Sequence, residues 1–235
     1  MRIALYGGSF DPPHRGHVAL ARLAIERLHL DRLLVAPVGL QPLKHEAATT
    51  SFDGRIAMAR LAFAGDPRIE VSRLDAPLPD HRPNYTIETV LRLKATLAPD
   101  DDLFCLLGAD SWLTIAKWFR ASELLMACGF IVGARPGFDL DLAAAALPRG
   151  ISAAKLPSGH AGSLLLSLRD PEGHRSPLYL LTDLAEDVSA TAVRAALSLH
   201  AAAAPDAAPD PDTDPVLDPE VAKYIRDHQL YSAAE

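Results

Sequence analysis

Short apolar runs that alternate with amphipathic helical patterns most constrain how this 235-residue chain can fold. Runs such as LLVAP and LFCLL are apolar at consecutive positions, so strands formed from them would be buried on both faces. Strands are predicted at Ile3–Tyr6, Arg32–Pro37, Ile69–Leu74, Leu103–Leu107, Phe130–Ala134 and Leu178–Leu181. Helices are predicted at Gly16–Leu28, Phe52–Ala64 and Tyr85–Leu97, with a short helical piece around Trp112. This alternation indicates an α/β fold, a parallel sheet with helices on both faces.

The predicted organisation is one domain over residues 1–235 with two segments that have the character of insertions. Residues 140–175 are rich in Ala, Gly and Ser and show weak periodicity. Residues 200–215, HAAAAPDAAPDPDTDP, cannot bury enough apolar surface to offset their ordering entropy, so a mobile surface loop is expected there. A last helix is expected over residues 218–229, opened by Asp218, Pro219 and Glu220.

Charge and composition argue against several classes of protein. The net charge of −7 and the pI near 5.7 argue against a protein that binds nucleic acid through its phosphate backbone. No apolar run approaches the roughly 20 residues that span a bilayer, and the N-terminus lacks a signal-peptide pattern, so no membrane association is expected. Cys105 and Cys128 lie in apolar surroundings and are interpreted as reduced core thiols of a cytoplasmic protein.

The loop GGSFDPPHRGH, between the first predicted strand and the first helix, has the composition of a phosphate-binding loop. Gly7 and Gly8 would let backbone N–H groups approach a ligand and would allow positive φ. His14 and His17 stand three residues apart at the helix start, where both imidazoles can point toward one spot and donate to phosphate oxygens. Alternatively the glycine pair is only a turn, or the histidines bind a metal, although no third ligand stands nearby in a recognised spacing.

Several motifs along the chain resemble those of one enzyme family. GGSFDPPHRGH resembles the N-terminal signature of the nucleotidyltransferases with an H-x-G-H motif, and more closely that of the bacterial nicotinate-mononucleotide adenylyltransferases. Further segments similar to motifs of this family are VGLQPLKH (38–45), NYTIETV (84–90), LLGADSW (106–112), KWFRASELL (117–125), VGARPG (132–137), VSATAVR (188–194) and VAKYIRDHQLY (221–231). The resemblance implies a Rossmann-like doubly wound fold and adenylyl transfer from ATP to nicotinate mononucleotide in NAD biosynthesis, with Mg²⁺ bound to the ATP phosphates.

The reaction implied by this resemblance needs positioning more than proton transfer. The nucleophile is already an anionic 5′-phosphate, so direct in-line attack requires neither a general base nor a covalent intermediate. The protein has to hold two mutually repelling phosphate groups in line and neutralise the charge of the departing pyrophosphate. A loop of hydrogen-bond donors fits this task better than a Ser–His–Asp or Cys–His arrangement does.

The resemblance assigns most candidate residues to ATP. The residues expected to act in catalysis, by contacting phosphates, are His14, His17, Lys44 and Arg194. The residues expected to bind ATP are Gly7, Gly8, Ser9, His14, His17, Gly108, Asp110, Arg135, Ser189, Thr191 and Arg194. Structural alternatives stand beside these roles: a solvated Lys44, a turn arginine at Arg135, a helix N-cap at Asp110, and for S-x-T-x-x-R a capped helix with an exposed arginine.

The nicotinate mononucleotide is expected to contact Lys44, Tyr85, Thr86, Trp118 and Phe119. Trp118 would stack on the pyridine ring, or alternatively anchor the apolar core. The backbone N–H groups of Thr86 and Phe119 would bind the carboxylate, and such donors reject an amide whose NH₂ would face them. The family often has Tyr or Trp where this chain has Phe119, so specificity for the pyridine ring rests on the backbone donors.

Other functions are compatible with these motifs. An adenylyltransferase of the same superfamily could act on nicotinamide mononucleotide or phosphopantetheine, and a catalytically inactive relative could bind nucleotides only. A class I tRNA synthetase fragment also carries H-x-G-H, but this chain is short and acidic and has no evident lysine-rich second signature. The expected partners are ATP and nicotinate mononucleotide, and the sequence leaves a homo-oligomer open.

Overall fold

A sheet of eight strands runs through the part of the protein that the computed structural model describes, residues 1–43, 48–134, 138–160, 162–184, 190–203 and 216–231. The strands are β1 (Arg2–Gly8), β2 (Arg32–Pro37), β3 (Ile69–Val71), β4 (Asp102–Gly108), β5 (Gly129–Gly133), β6 (Ser152–Leu156), β7 (Ser163–Arg169) and β8 (Arg175–Leu181). Their spatial order is β3-β2-β1-β4-β5-β8-β7-β6. In this spatial order, each pair of neighbours from β3 through β2, β1, β4 and β5 to β8 is parallel. Strand β7 runs antiparallel to both β6 and β8.

The direction of strand addition reverses between β1 and β4. From β1 the chain moves outward to β2 and β3, and it then returns to the other side of β1 for β4 and β5. Such a reversal opens a crevice beyond the carboxyl ends of the two central strands, and α/β sheets bind ligands in that crevice. The loops after β1 and β4 therefore border the expected ligand site.

Helices cover both faces of the sheet. They are α1 (Arg15–Leu28), α2 (Phe52–Ala62), α3 (Thr86–Lys94), α4 (Ala109–Trp112), α5 (Ala121–Ala127), α6 (Leu140–Ala145), α7 (Ala190–Ala203) and α8 (Pro219–Asp227), with a 3₁₀ turn at Ile115–Lys117. Successive residues of β1 face opposite sides of the sheet. Ile3 and Leu5 join one apolar core with α3 to α6, whereas Ala4 and Tyr6 join a second core with α1, α2, α7 and α8.

This architecture confirms the predicted doubly wound α/β fold with helices on both faces. The predicted element ends differ from the observed ones by at most three residues, as at β3, which ends at Val71 rather than Leu74. Element ends depend on caps and on pairing with neighbouring strands, which the local apolar pattern does not encode.

Residues 140–175 contain structure that the sequence analysis did not predict. Besides α6, they form β6 and β7, which extend the sheet and make it mostly rather than wholly parallel. β6 is an edge strand whose residues are largely exposed, and in β7 the buried positions alternate with half-buried ones. In sequence, Lys155 interrupts β6, SAAKL, and a serine ends the run of three leucines in β7, SLLLSLR, so both apolar runs are shorter than LLVAP of β2 and LFCLL of β4.

Three further sequence predictions can be compared with the structure. Cys105 and Cys128 are buried free thiols, as predicted, with their sulfur atoms 3.5 Å apart. Helix α8 begins as predicted, because the Asp218 carboxylate accepts a hydrogen bond from the backbone N–H of Glu220. Of the predicted surface loop 200–215, residues 200–203 belong to α7 and the rest lies outside the described residues. Within the described ranges, no helix combines the length and hydrophobicity needed to cross a bilayer.

Candidate active site

The loop after β1 is anchored by a residue in an unusual backbone conformation. Phe10 has a φ of 47°, in the left-handed region that residues with a Cβ rarely adopt. Its buried ring packs edge-on against Tyr6 and Phe63, with centroid separations of 5.3 and 5.8 Å. Burial of a phenyl ring contributes roughly 1.5–3 kcal/mol, enough to offset the backbone strain. The ring therefore fixes the path of the chain toward His14.

Gly7 and Gly8 do not use the positive φ that glycine allows. Both belong to β1 and pair with Ala36 and Pro37, so the strand continues through the glycine pair and keeps it extended. Their small size has a different use. A Cβ on Gly7 would meet nothing within 4 Å, which leaves open space beside the strand end, whereas a Cβ on Gly8 would lie 3.1 Å from the Phe10 ring.

His14 and His17 come together at the start of α1, as predicted. His14 is the N-cap in an extended conformation, and its ring stacks on that of His17 with centroids 3.7 Å apart. The Nδ1 atom of His17 accepts a hydrogen bond from the backbone N–H of His14 at 3.2 Å. Because Nδ1 accepts, the proton of the neutral His17 ring lies on Nε2, which is then a donor. The pair thus occupies a helix start, where backbone N–H groups also favour phosphate.

Helix α7 brings a cation to the same loop from a distant part of the sequence. The Nη1 atom of Arg194 donates to the carbonyl oxygen of Asp11 at 2.7 Å, and its Nη2 atom donates to Thr191 Oγ1 at 3.4 Å. Asp11 precedes His14 by three residues, so Arg194 binds the same short loop that leads to the imidazoles. The structure thus brings Arg194 of the S-x-T-x-x-R motif to the loop that leads to the histidine pair, and Ser189 of that motif lies outside the described residues.

The Asp11 carboxylate is buried and holds the loop to two other segments. Its side chain is 2% exposed. Oδ1 accepts from the Tyr231 hydroxyl at 2.5 Å, and Oδ2 accepts from the backbone N–H of Thr49 at 2.7 Å. Burial, together with the hydrogen bond to Asp11, raises the pKa of Tyr231 above its ordinary value. The hydroxyl therefore stays protonated and donates to the carboxylate.

A buried arginine joins three loops beneath the site. Arg55 of α2 is 2% exposed, and its Nη1 atom donates to the carbonyl oxygens of Ser9 at 2.9 Å and Val38 at 2.8 Å. Its Nε atom donates to the carbonyl oxygen of Thr50 at 3.3 Å. Burial lowers the pKa of this guanidinium from its usual value. Ser9 is held a second time, because its hydroxyl donates to Gln41 Oε1 at 2.8 Å.

Gly108 and Asp110 lie where the sequence analysis expected them, at the carboxyl end of β4. Gly108 ends the strand opposite Gly133, and a Cβ on it would meet nothing within 4 Å. The alternative that Asp110 is a helix N-cap is wrong, because Gly108 is the N-cap of α4 and Asp110 lies within the helix. Asp110 is exposed, in the short helix that directly follows the carboxyl end of β4 beside the switch point of the fold.

Aromatic side chains form a second candidate surface, beside the start of α3. Tyr85 is the N-cap of α3, and its ring lies 4.3 Å from that of Phe119, centroid to centroid. Phe119 is 48% exposed, whereas Trp118 is half-buried against the apolar core, with its Nε1 donating to Thr114 Oγ1 at 3.1 Å. The more accessible aromatic face is therefore that of Phe119. Thr86 is the first residue of α3, where backbone N–H groups point out of the helix.

A buried polar network holds this aromatic surface against the loop after β2. The Oδ1 atom of Asn84 accepts from the backbone N–H of Leu40 at 2.9 Å, and its Nδ2 atom donates to the carbonyl oxygen of Asp75 at 3.2 Å. The Asp75 carboxyl group accepts from Thr89 Oγ1 at 2.6 Å, and burial raises its pKa. Asn84 directly precedes Tyr85, so the network fixes the backbone position from which the Tyr85 side chain extends.

Lys44 and Arg135, like Ser189, lie outside the described residues, and their roles stay predictions. The described chain reaches Leu43 after β2 and Ala134 after β5. Both of these positions follow the carboxyl end of a parallel strand. Strands β2 and β5 thus end at the same edge of the sheet as β1.

Known proteins with similar sequences identify the family of this chain. A family model described as cytidylyltransferase-like matches residues 5–196. A curated protein of Laribacter hongkongensis, named "Probable nicotinate-nucleotide adenylyltransferase", is 33% identical over 229 residues, which cover 97% of this chain and 94% of the relative. The chain belongs to the cytidylyltransferase-like family, among its nicotinate-nucleotide adenylyltransferases. A relative of the same name from Pseudomonas fluorescens is 37% identical over 197 residues, which cover 84% of this chain and 86% of the relative.

Solved structures whose sequences have low identity to this chain share its fold. Plasmodium falciparum nicotinic acid mononucleotide adenylyltransferase complexed with NaAD has a TM-score of 0.67 at 18% identity, covering 98% of this chain and 97% of that one. The same parasite enzyme complexed with APC has a TM-score of 0.64 at 17% identity, covering 98% of this chain and 96% of that one. At these identities the likeness establishes the Rossmann-like fold alone.

Sequence reasoning missed the residues that hold the site loops in place. Asp11 and Tyr231 stand 220 positions apart, and a hydrogen bond between them leaves no spacing pattern. Arg55 did leave one signal: it lies three, four and seven positions before the buried residues Met58, Ala59 and Ala62. A charged residue on the apolar face of a helix is one that must find buried acceptors.

Proposed function

We propose that this family enzyme transfers the adenylyl group of ATP to nicotinate mononucleotide, forming nicotinate adenine dinucleotide and releasing pyrophosphate in NAD biosynthesis. The observation that carries the proposal is that Arg194 of α7 donates to the carbonyl oxygen of Asp11, on the same loop after β1 that leads to the stacked His14–His17 pair. A loop and a distant helix thereby direct donors toward one volume, as binding of a triphosphate requires. The names of the curated relatives support the same reaction.

In the proposed reaction the 5′-phosphate of nicotinate mononucleotide attacks the α-phosphorus of ATP in line with the leaving pyrophosphate. One phosphorus–oxygen bond forms while the bond to the β-phosphate oxygen breaks, and no proton has to be removed from the nucleophile. The barrier is lowered by positioning and by donors placed where negative charge develops. The Nε2–H of His17 is such a donor, and stacking on His14 restricts the rotation of its ring.

Arg194 supplies the fixed positive charge of the proposed phosphate site. Its bond to the Asp11 carbonyl orients the guanidinium without neutralising it, because a carbonyl oxygen carries no net charge. A guanidinium presents its N–H groups in a planar fork, the geometry that suits phosphate. Thr191, Ser9 and the N–H groups at the start of α1 complete the proposed contacts, together with Lys44, Arg135 and Ser189 as predicted from the motifs.

The pyridine ring is proposed to lie on the exposed aromatic surface of Phe119 and Tyr85. Two rings already in contact at 4.3 Å offer a flat apolar edge to a third ring. Trp118 would support Phe119 from the core side rather than stack on the substrate, because its indole is half-buried and hydrogen-bonded. The carboxylate of nicotinate would accept from the backbone N–H groups of Thr86 and Phe119, which would disfavour the amide.

Mg²⁺ is proposed to enter the site on the phosphates of ATP. This cation prefers oxygen ligands and keeps several waters, so it is commonly held through substrate phosphates. The groups that border the loop after β1 are imidazoles, a guanidinium and N–H donors, which suit phosphate oxygens. That donor set fits a cation carried by the nucleotide, which would neutralise charge on the departing pyrophosphate. The exposed Asp110 carboxylate could contact its bound waters.

A cytoplasmic location is proposed from the state of the cysteines. Cys105 and Cys128 are free thiols although their sulfur atoms lie 3.5 Å apart in the core. Reducing compartments keep such pairs as thiols. Burial and mutual contact raise the pKa of Cys105, so neither oxidation nor metal binding through its thiolate is favoured.

A pyrophosphate-release assay with ATP, Mg²⁺ and either pyridine mononucleotide tests the proposal. We expect turnover with nicotinate mononucleotide and a kcat/KM at least about 10-fold lower with the nicotinamide form, because an amide NH₂ would face a donor. Equal or higher kcat/KM with the amide would overturn the proposed substrate. Binding of ATP without any pyrophosphate release would instead identify a nucleotide-binding protein that has lost its chemistry.

A further inference from the structure

Asp11 accepts hydrogen bonds both from Tyr231 and from Arg194 of α7. Its carbonyl oxygen accepts from Arg194, and its carboxylate accepts from Tyr231 and from the backbone N–H of Thr49. The carboxylate is buried and its oxygens face protein donors, so Asp11 does not itself present a group to substrate. Any rotation of this residue would displace Arg194 and the loop that leads to His14 together.

Tyr231 is in turn fixed by the rest of the C-terminal segment. Its ring is 7% exposed and packs in the apolar core that contains Ile225 of α8. Its backbone carbonyl oxygen accepts a hydrogen bond from Ser198 Oγ of α7 at 3.1 Å. The end of the described chain is therefore joined at one point to α7 and at another to the loop after β1.

We propose that Tyr231, acting through Asp11, is a positioning residue that sets the distance between the histidine pair and Arg194 for adenylyl transfer. The Tyr231–Asp11 hydrogen bond holds the side chain of the residue whose carbonyl receives Arg194. The inference rests on the proposed function, because the reaction supplies its readout. Donors aimed at a transition state lose effect steeply when they are displaced, whereas ground-state binding of a flexible triphosphate tolerates small shifts.

The substitution Tyr231→Phe tests this role, because it keeps the buried ring and removes only the hydroxyl. We expect kcat to fall about 10-fold while the KM values for ATP and nicotinate mononucleotide change less than about 3-fold. The matched control is Tyr224→Phe in the same terminal segment, where the ring stacks on His228 at 3.9 Å, and its kcat is expected to stay at the wild-type value. Melting temperatures of both variants report any loss of stability separately.

A double-mutant cycle with His17→Ala tells whether Tyr231 acts through the histidine loop. If it does, Tyr231→Phe lowers kcat by a smaller factor in the His17→Ala enzyme than in the wild type, because the donor to be positioned is already absent. Effects on kcat that multiply independently would overturn the proposal. So would a Tyr231→Phe enzyme that loses thermal stability and keeps its kcat.

Asp11 provides a second test that does not depend on Tyr231→Phe folding well. Asp11→Asn can keep both bonds, since its carbonyl can accept from Thr49 and its NH₂ can donate to the tyrosine oxygen. We expect Asp11→Asn to retain kcat within about 5-fold and Asp11→Ala to lose about 100-fold. Equal losses in the two variants would overturn a positioning role. A wild-type enzyme that releases no pyrophosphate would refute the proposed function and this inference with it, a result distinct from an active wild type with unaffected variants.

Discussion

The two halves of the candidate site differ in how their side chains are held. In the phosphate half, the loop after β1 is fixed from beneath by Phe10, Asp11 and Arg55, each no more than 2% exposed. In the pyridine half, Phe119 is 48% exposed and contacts the ring of Tyr85. The first half is held by hydrogen bonds from distant segments, whereas the second presents an open aromatic face.

This difference follows from what each half has to bind. Stabilising charge in a transition state requires donors that are already in place, because reorganising them during the reaction costs free energy. Holding a flat pyridine ring requires an accessible apolar surface, which has to be exposed before the ligand arrives. Substitutions in the phosphate half are therefore expected to lower kcat or stability, and substitutions in the pyridine half to raise KM.

The largest effect is expected from His17→Ala in the phosphate half. Losing a well-placed donor to the transition state should lower kcat roughly 10²–10³-fold. The fold should be kept, because His14, the N-cap of α1, is unchanged. Single-turnover pyrophosphate release and circular dichroism measure the two effects. Release within a few-fold of the wild-type rate would show that the histidine is not part of the charge-stabilising half.

Arg55→Met is the next largest change, and it acts on stability. It leaves the carbonyl oxygens of Ser9 and Val38 buried without their donor, which should lower the free energy of unfolding by roughly 2–4 kcal/mol. Urea unfolding measures the difference. Arg60→Met, at an exposed position in the last turn of the same helix, is the control and should change stability by less than about 0.5 kcal/mol. Similar values for the two variants would mean that the loop is not held from beneath.

Gly39→Ala tests the loop after β2, where Val38 accepts from Arg55 of the phosphate half and Leu40 donates to Asn84 beside the pyridine half. A Cβ on Gly39 would lie 2.5 Å from the backbone nitrogen of Pro77, and rigid backbone cannot move aside cheaply. We expect a loss of about 1–3 kcal/mol in unfolding free energy, with Gly159→Ala as the control because a Cβ there meets nothing within 4 Å. A Gly39→Ala protein as stable as the control would show that the loop after β2 adapts freely.

The smallest effect is expected from Phe119→Ala in the pyridine half. Loss of one stacking face is worth about 0.5–1.5 kcal/mol, so the KM for nicotinate mononucleotide should rise roughly 2–12-fold with kcat nearly unchanged. Steady-state kinetics with saturating ATP measure it, and Leu113→Ala, another exposed apolar residue, is the comparison. A fall in kcat without a change in KM would place Phe119 in the wrong half.

Much of the fold could be predicted because its central strands are buried on both faces. LFCLL and RLLVAP stand out as continuous apolar runs, and their order with the helical patterns indicates a parallel sheet. Strands β6 and β7 escaped prediction, since the edge strand β6 is largely exposed and β7 is only half-buried at several positions, so neither needs such a run. The histidine pair could be predicted because the motif is local, with both residues on one turn of chain.

The sequence by itself determined which residues bring donors, cations and aromatic rings, because residue type and short spacing fix that chemistry. Only the tertiary structure decided that Asp11, rather than solvent, receives Tyr231 and Arg194, and that Phe119 rather than Trp118 faces outward. Those outcomes depend on how segments as far apart as the first loop and the terminal residues pack together. Local pattern carries no record of such pairings, because the hydrogen bonds that join them are set by the whole fold.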